Sequence, residues 1–282
     1  MDSIRYNHLV VSKDRQYVLL SGLPRTGATV LSNIFAQNPE VHFGGHSALP
    51  SLLHGINHTV EVTANENLVM LDRYDGFKEK AMQMMLDLYH GDVQSPVIID
   101  KGRTWACEAN RGYADLALGS NTKYIILVRP IDEIVQSFAS LRVKNGWEGN
   151  IFRDLLNPND DPILWPLNGV IHSAFCDFPN TLFISYDDII YDTHSVVKRI
   201  ERFVGLKSFN YRYNDIQETV SHNDAFIDLE GLHEVRPTIS RRRHDIVLPD
   251  DIKMQCQKYN KQMLDLGINL GRSLKVNHGA LC

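Results

Sequence analysis

YVLLSGLPRTGATVLSNIF, residues 17–35, runs from a short apolar stretch through a glycine-rich turn into a helical pattern. Residues 17–21 are apolar without strict alternation, as in a strand buried on both faces of a parallel sheet. Residues 28–37 carry helical spacing. Between them, Gly22 and Gly27 let the backbone curl and approach a ligand closely, and Pro24 stiffens the curl. Such a turn points several N–H groups at one spot, where the helix dipole also attracts an anion. Thr29 can add a hydroxyl and an amide in the first helical turn, and Arg25 a fork of donors on a permanent charge. A phosphate loop of the ATPase kind keeps a lysine before its threonine; Ala28 stands there instead, which counts against ATP hydrolysis and ordinary kinase chemistry. The plain alternative is a tight turn whose glycines serve only the turn.

The same grammar repeats along the chain. Strand patterns lie at 97–100, 123–128 and 181–185, and helical patterns at 77–89, 131–143, 195–204 and 249–266. Strand and helix in alternation predict an α/β fold, a P-loop-type three-layer α/β/α arrangement around a central parallel sheet. No linker or repeat divides the chain, so residues 1–282 are expected to form a single domain. The less periodic segments 44–75 and 144–165 are expected as insertions on the substrate side of the cleft.

A net charge of −5 offers no general attraction for nucleic acid or an anionic membrane. No apolar run approaches the ~20 residues that span a bilayer, and the start, MDSIRYNHLVVSKDR, lacks the long apolar stretch of a secretory signal. Cys107, Cys176, Cys256 and Cys282 are scattered without a CxxC pair, which suits reduced thiols in a cytoplasmic protein. Without a secretory signal, the glycosylation triplet at Asn57 is expected to be a chance match.

A second strand-turn-helix unit, KYIILVRPIDEIVQSFASL (residues 123–141), puts Arg129 where a strand leaves the sheet, facing the crevice in which such sheets bind ligands. Pro130, with no N–H to leave unpaired, suits the start of the next helix. Alone, Arg129 could equally be a surface arginine in a charged turn.

Residues 22–45, GLPRTGATVLSNIFAQNPEVHFGG, resemble the 5′-phosphosulfate loop and following helix of sulfotransferases. The likeness is closest to the branch with PRSGTT in the loop, which includes protein-tyrosine sulfotransferases and bacterial relatives. The resemblance implies 3′-phosphoadenosine 5′-phosphosulfate as donor, adenosine 3′,5′-bisphosphate as product and no metal. It implies that Pro24, Arg25, Thr26, Gly27, Ala28 and Thr29 surround the 5′-phosphosulfate. It also implies that Arg129 and Ser137, eight positions apart as in the family, grip the 3′-phosphate. Pro130 departs from the Asp or Asn that commonly follows this arginine.

The tyrosylprotein-type base is a glutamate 21 positions after the loop arginine; here that position is His46, in HFGGHSAL. Cytosolic sulfotransferases use a histidine from another part of the chain. The bland reading of His46 is a loop histidine bonded to backbone. His42 and His46 have i,i+4 spacing, but two intervening glycines make a metal-binding helical turn unlike them. VIIDKGRTW (97–105) offers Lys101 as the family's lysine on the leaving phosphate and bridging oxygen, with Arg103 second; an exposed loop lysine is the alternative.

LFISYDDII (182–190) resembles the family's strand followed by Tyr-Glu-Asp-Leu, which puts Tyr186 near the nucleotide and aspartates at a helix start. RPTISRRRHDIVLP (236–249) resembles the segment that folds over the donor, with Ser240 as a phosphate contact and Arg241 to Arg243 as added charge; a basic surface run or a nuclear signal competes for the same residues. The likeness runs from about 15 to 270 and is weakest between Gly55 and Ser95. The expected reaction is sulfuryl transfer to a hydroxyl of a small molecule, carbohydrate or peptide, with lipid alcohols and amines also open. A P-loop small-molecule kinase and a non-catalytic nucleotide-binding module are the rivals.

Overall fold

The chain begins with strand β1 (Gln16–Gly22), helix α1 (Ala28–Phe35), strand β2 (Val41–His46) and helix α2 (Leu49–His58). A π-turn at Thr59–Thr63 leads to α3 (Asn65–Met70) and α4 (Phe77–Tyr89), then to β3 (Val97–Lys101), α5 (Glu108–Leu118) and β4 (Lys123–Val128). Next come α6 (Ile131–Lys144), α7 (Leu164–Phe175), β5 (Thr181–Ser185), α8 (Tyr186–Tyr191) and α9 (Thr193–Val204). A 3₁₀ turn at Asp224–Ile227 and α10 (Asp250–Asp265) complete it. The computed structural model describes residues 15–157, 162–219, 223–242 and 244–271; Arg243 and Cys282 lie outside them.

The five strands pair in the order β2-β3-β1-β4-β5, all parallel. Parallel neighbours need crossovers, and the intervening helices supply them on both faces of the sheet. Alternate residues of β4 serve opposite faces: Ile126 and Val128 join α6, α7 and α10, while Ile125 and Leu127 join α1 and α9. This double burial is why the central strands carry unbroken apolar runs. The order reverses at β1, whose two neighbours, β3 and β4, come later in the chain. A crevice opens above the carboxyl ends at such a reversal, and the loop from Gly22 to Gly27 lies there.

Local chemistry fixes the helix ends. The Ser185 hydroxyl accepts the Asp188 amide at 3.1 Å, so α8 begins at Tyr186 with Asp187 and Asp188 in its first turn. Pro130 caps α6, and the Ile131 amide donates to Asn260 Oδ1 of α10 at 2.7 Å. Asp132 and Glu133 in the first turn of α6, and Arg142 and Lys144 in its last, complement the helix dipole.

The two less periodic segments take different forms. Segment 44–75 is largely helical, through α2, the π-turn and α3. In segment 144–165, Leu155, Leu156, Ile163 and Leu164 belong to the main core, and Arg142 donates to the carbonyls of Ile151 at 3.0 Å and Arg153 at 2.5 Å. Cys107, Cys176 and Cys256 are free thiols. Among the described residues no helix is long and apolar enough to cross a membrane.

Candidate functional site

The turn after β1 is held open by its own backbone. Gly22 adopts φ 118°, and a Cβ there would sit 2.2 Å from the Leu127 carbonyl oxygen, so only glycine lets β1 and β4 approach this closely. Gly27, at φ 86°, caps α1, leaving the first N–H groups of that helix without intrahelical acceptors. Thr26 is buried and its hydroxyl donates to the Leu23 carbonyl at 2.8 Å. Arg25 is left-handed at φ 59°, a conformation that costs energy for a side chain and is held here by hydrogen bonds on both sides.

Those bonds carry the Arg25 guanidinium out of the loop. Its Nε donates to Ser137 Oγ at 3.1 Å and an Nη to the Leu232 carbonyl, while its own carbonyl accepts Arg129 Nη1 at 2.8 Å. Burial, then the charges of Arg242, Arg129 and Arg103, bring its pKa down to about 10. Arg129 also donates to Glu133 at 3.0 Å and lies over the Tyr186 ring, 4.0 Å from its centre. Arg25, Arg129, Ser137 and Tyr186 therefore form one connected cluster. Arg241 lies behind it, bound to Asp187 at 2.6 Å and to Glu133.

On the other side of β1, the register pairs His46 with Lys101 across an irregularity that spans Gly44 and Gly45. Lys101 is buried, and burial followed by the charge of Arg103 lowers its pKa to about 8. His46 keeps solvent access at the cavity mouth. Desolvation on its inner side, then Arg103, Lys101 and His233, push its pKa down to about 4. Arg103 follows on the same strand end; its carbonyl accepts Ser21 Oγ at 2.7 Å, while its half-buried guanidinium has no acceptor among the described residues. A buried cation without a partner is costly, and an anionic ligand would relieve that cost. His42 turns away toward His90, the rings 5.8 Å apart.

These groups line one cavity of about 1100 Å³, its open mouth included. Among the described residues, Arg25, Lys101, Arg103, Arg129, Arg236 and Arg242 face it, against the single carboxylate of Glu234. In a chain of net charge −5 this is a local reversal of sign that concentrates an anion. Of the sequence candidates, Pro24, Arg25, Thr26, Gly27, Ala28, Thr29, His46, Lys101, Arg129, Ser137, Tyr186 and Ser240 all line the cavity. Arg241 does not; it lines the adjoining cleft. Among the described residues, segment 44–75 contributes His46 to this cavity and segment 144–165 contributes none.

The segment from Leu232 to Arg242, with His244, supplies further lining, including His233, Arg236, Arg242 and His244. The basic run at 236–244 marked the region, but only the fold decides which arginine turns inward. Arg242 is braced by Glu234 at 2.8 Å. His244 Nδ1 meets Ser140 Oγ at 3.0 Å, and its buried Nε2 has no partner among the described residues. Burial and the charges of Arg129, Arg25, Arg242 and Arg236 depress its pKa to about 4.

A five-stranded parallel sheet with an anion cavity at its reversal defines a nucleotide-handling α/β protein of the phosphate-loop kind. The sulfotransferase family model matches residues 18–210, and the chain belongs to that family, which depends on 3′-phosphoadenosine 5′-phosphosulfate. Among solved structures, mouse sulfotransferase SULT7A1 complexed with PAP is similar at a TM-score of 0.51 and 15% identity, over 94% of this chain and 90% of that one. A sulfotransferase from Alicyclobacillus acidocaldarius is similar at 0.50 and 12% identity, over 89% and 94%. At such identities the likeness establishes the fold. A search of curated proteins returned no match.

Proposed function

We propose that this chain moves the sulfuryl group of 3′-phosphoadenosine 5′-phosphosulfate to an acceptor hydroxyl by in-line displacement. The observation that carries the reading is the pairing of Lys101 with His46 on the rim of a cation-lined cavity, beside the β1–α1 loop. The loop amides and Thr29 hold the 5′-phosphate at the α1 terminus. Arg129, Ser137, Ser240 and Arg242 receive the 3′-phosphate. The loop's likeness to the tyrosylprotein-type branch and the PAP bound to the mouse relative both support this donor.

Lys101 and Arg103 steady the bridging oxygen as its bond to sulfur breaks, the kind of charge stabilisation that works best where water is excluded. With its pKa lowered to about 4, His46 is neutral at physiological pH, so its imidazole can accept the hydroxyl proton as the new bond forms. In this reading the cationic side chains do the charge stabilisation and no metal is called for, and the free thiols of Cys107, Cys176 and Cys256 are compatible with a cytoplasmic setting. Titration calorimetry tests the donor. Adenosine 3′,5′-bisphosphate should bind without Mg²⁺, whereas preference for Mg-ATP would favour a kinase. Binding without transfer to any acceptor in a broad panel would favour a non-catalytic module.

A further inference from the structure

A second histidine faces the cavity from the covering segment. His233 Nδ1 lies 2.6 Å from Asp224 Oδ1, and the His233 backbone N–H donates to Asp224 Oδ2 at 2.8 Å. One carboxylate thus clamps both the ring and the main chain of His233. The two side chains are 18% and 12% exposed. Asp224 opens the 3₁₀ turn Asp224–Ile227, and a turn with so few internal bonds gains rigidity from this clamp.

Donation from Nδ1 puts the basic lone pair on Nε2, and the carboxylate stabilises the imidazolium that forms when Nε2 takes a proton. His46, lining the same cavity, has different surroundings: desolvation first, then Arg103, Lys101 and His233 itself, disfavour its charged form. A proton accepted by His46 therefore has a strong tendency to move on. Two titratable groups with opposed environments mark a division of labour.

We propose that His233, clamped by Asp224, is a second catalytic histidine that receives the acceptor's proton from His46. This rests on the sulfuryl-transfer reading. The acceptor oxygen forms its bond to sulfur while the sulfur–oxygen bond to the phosphate breaks, the electron pair staying on the phosphate oxygen. The hydroxyl proton passes to His46 and then to His233. Asp224 is a positioning residue.

The test uses release of labelled sulfate from the donor to water, an acceptor that needs no identification, beside calorimetry with adenosine 3′,5′-bisphosphate. His46→Ala should lose about 10²- to 10⁴-fold in kcat, and His233→Gln, which can still bond Asp224, about tenfold or more, both with unchanged bisphosphate affinity. As members of one relay, the two changes together should be no worse than His46→Ala alone. Asp224→Asn removes the charge that favours the imidazolium, so the acidic limb of kcat should move to lower pH, which a merely structural role would not produce. Wild-type turnover in His233→Gln, multiplying losses in the double variant, or an unmoved limb in Asp224→Asn would each overturn the relay. A wild-type protein that fails to bind the bisphosphate would overturn the sulfuryl-transfer reading and the relay with it.

Discussion

The floor and the cover of the cavity are built by different physics. The floor consists of strand ends and the turn after β1, and its side chains leave a ladder of parallel backbone hydrogen bonds. The cover, residues 223–244, has one 3₁₀ turn and one isolated bridge, Asn214 to Thr238, and is tied down by side chains. Asp224 holds His233, Glu234 holds Arg242, and Arg25 reaches the Leu232 carbonyl. Floor residues inherit their positions from the core, whereas cover residues depend on charge pairs that an anion can reorganise. The lesson is that substitutions in the floor should act on chemistry, and those in the cover, the proposed relay histidine and its clamp apart, on binding and its dependence on pH.

The largest expected effect is in the floor. Lys101→Ala should cost about 10²- to 10³-fold in kcat, the scale of losing one preorganised donor at a developing oxyanion, with a clearly smaller loss of bisphosphate affinity. With its pKa lowered to about 8, Lys101 loses its proton as pH rises through that value, so turnover should fall on the basic side. Bound donor, being anionic, should shift that fall to higher pH. An equal loss of affinity and turnover in Lys101→Ala would make it an anchor and erase the contrast with the cover.

Arg129 links the two regions through Glu133, which binds both Arg129 and the cover's Arg241, and it also donates to the loop carbonyl of Arg25. Arg129→Ala should weaken adenosine 3′,5′-bisphosphate about ten- to a hundredfold, the cost of a charge-assisted hydrogen bond. Adenosine 5′-phosphate should suffer less. Equal losses for both ligands would mean that Arg129 supports the loop and does not read the 3′-phosphate.

This division also tracks what the sequence discloses. Strands β1, β3, β4 and β5 were legible because burial on both faces leaves continuous apolar runs, and α4 keeps its expected bounds of 77–89. Strand β2 was not, since it is an edge strand of six residues with two glycines, VHFGGH, whose pairing is irregular. Helices α5 and α7 were missed as well: Arg111 is buried within α5 over the Tyr124 ring, which blurs its polar-apolar pattern. The floor candidates could be read because glycine, threonine and strand-end arginine have fixed offsets from a buried strand. In the cover, Arg241 and Arg242 are neighbours with opposite destinations, and no periodic element sets their direction.

That neighbouring pair gives the next comparison. Arg242→Ala should weaken bisphosphate binding several-fold and leave thermal stability close to wild type, because its pairing with Glu234 is partly exposed. Arg241→Ala should do the reverse. It removes one ion-pair partner from Asp187, buried in the first turn of α8, and one from Glu133, which keeps Arg129, at a cost of about 1–3 kcal/mol that a denaturant melt would register. If both variants lose only affinity, Arg241 belongs to the site after all.

The smallest effect concerns protons in the cover. His244 has a folded pKa of about 4, below its ordinary value near 6.5, because it is buried among Arg129, Arg25, Arg242 and Arg236. The unfolded chain therefore binds a proton more readily than the folded one between those values. Stability contributed by neutral His244 is complete above about pH 6.5 and is lost as pH falls toward 4, so Tm should decline across that window. His244→Gln should flatten the decline, the remainder belonging to His46 and other groups. Bisphosphate changes the balance, since a bound phosphate among those arginines favours imidazolium. Calorimetry near pH 5 in buffers of different ionisation enthalpy should then register proton uptake on binding, reduced in His244→Gln. Uptake unchanged by that substitution would move the effect to His46 and return the pH sensitivity to the floor.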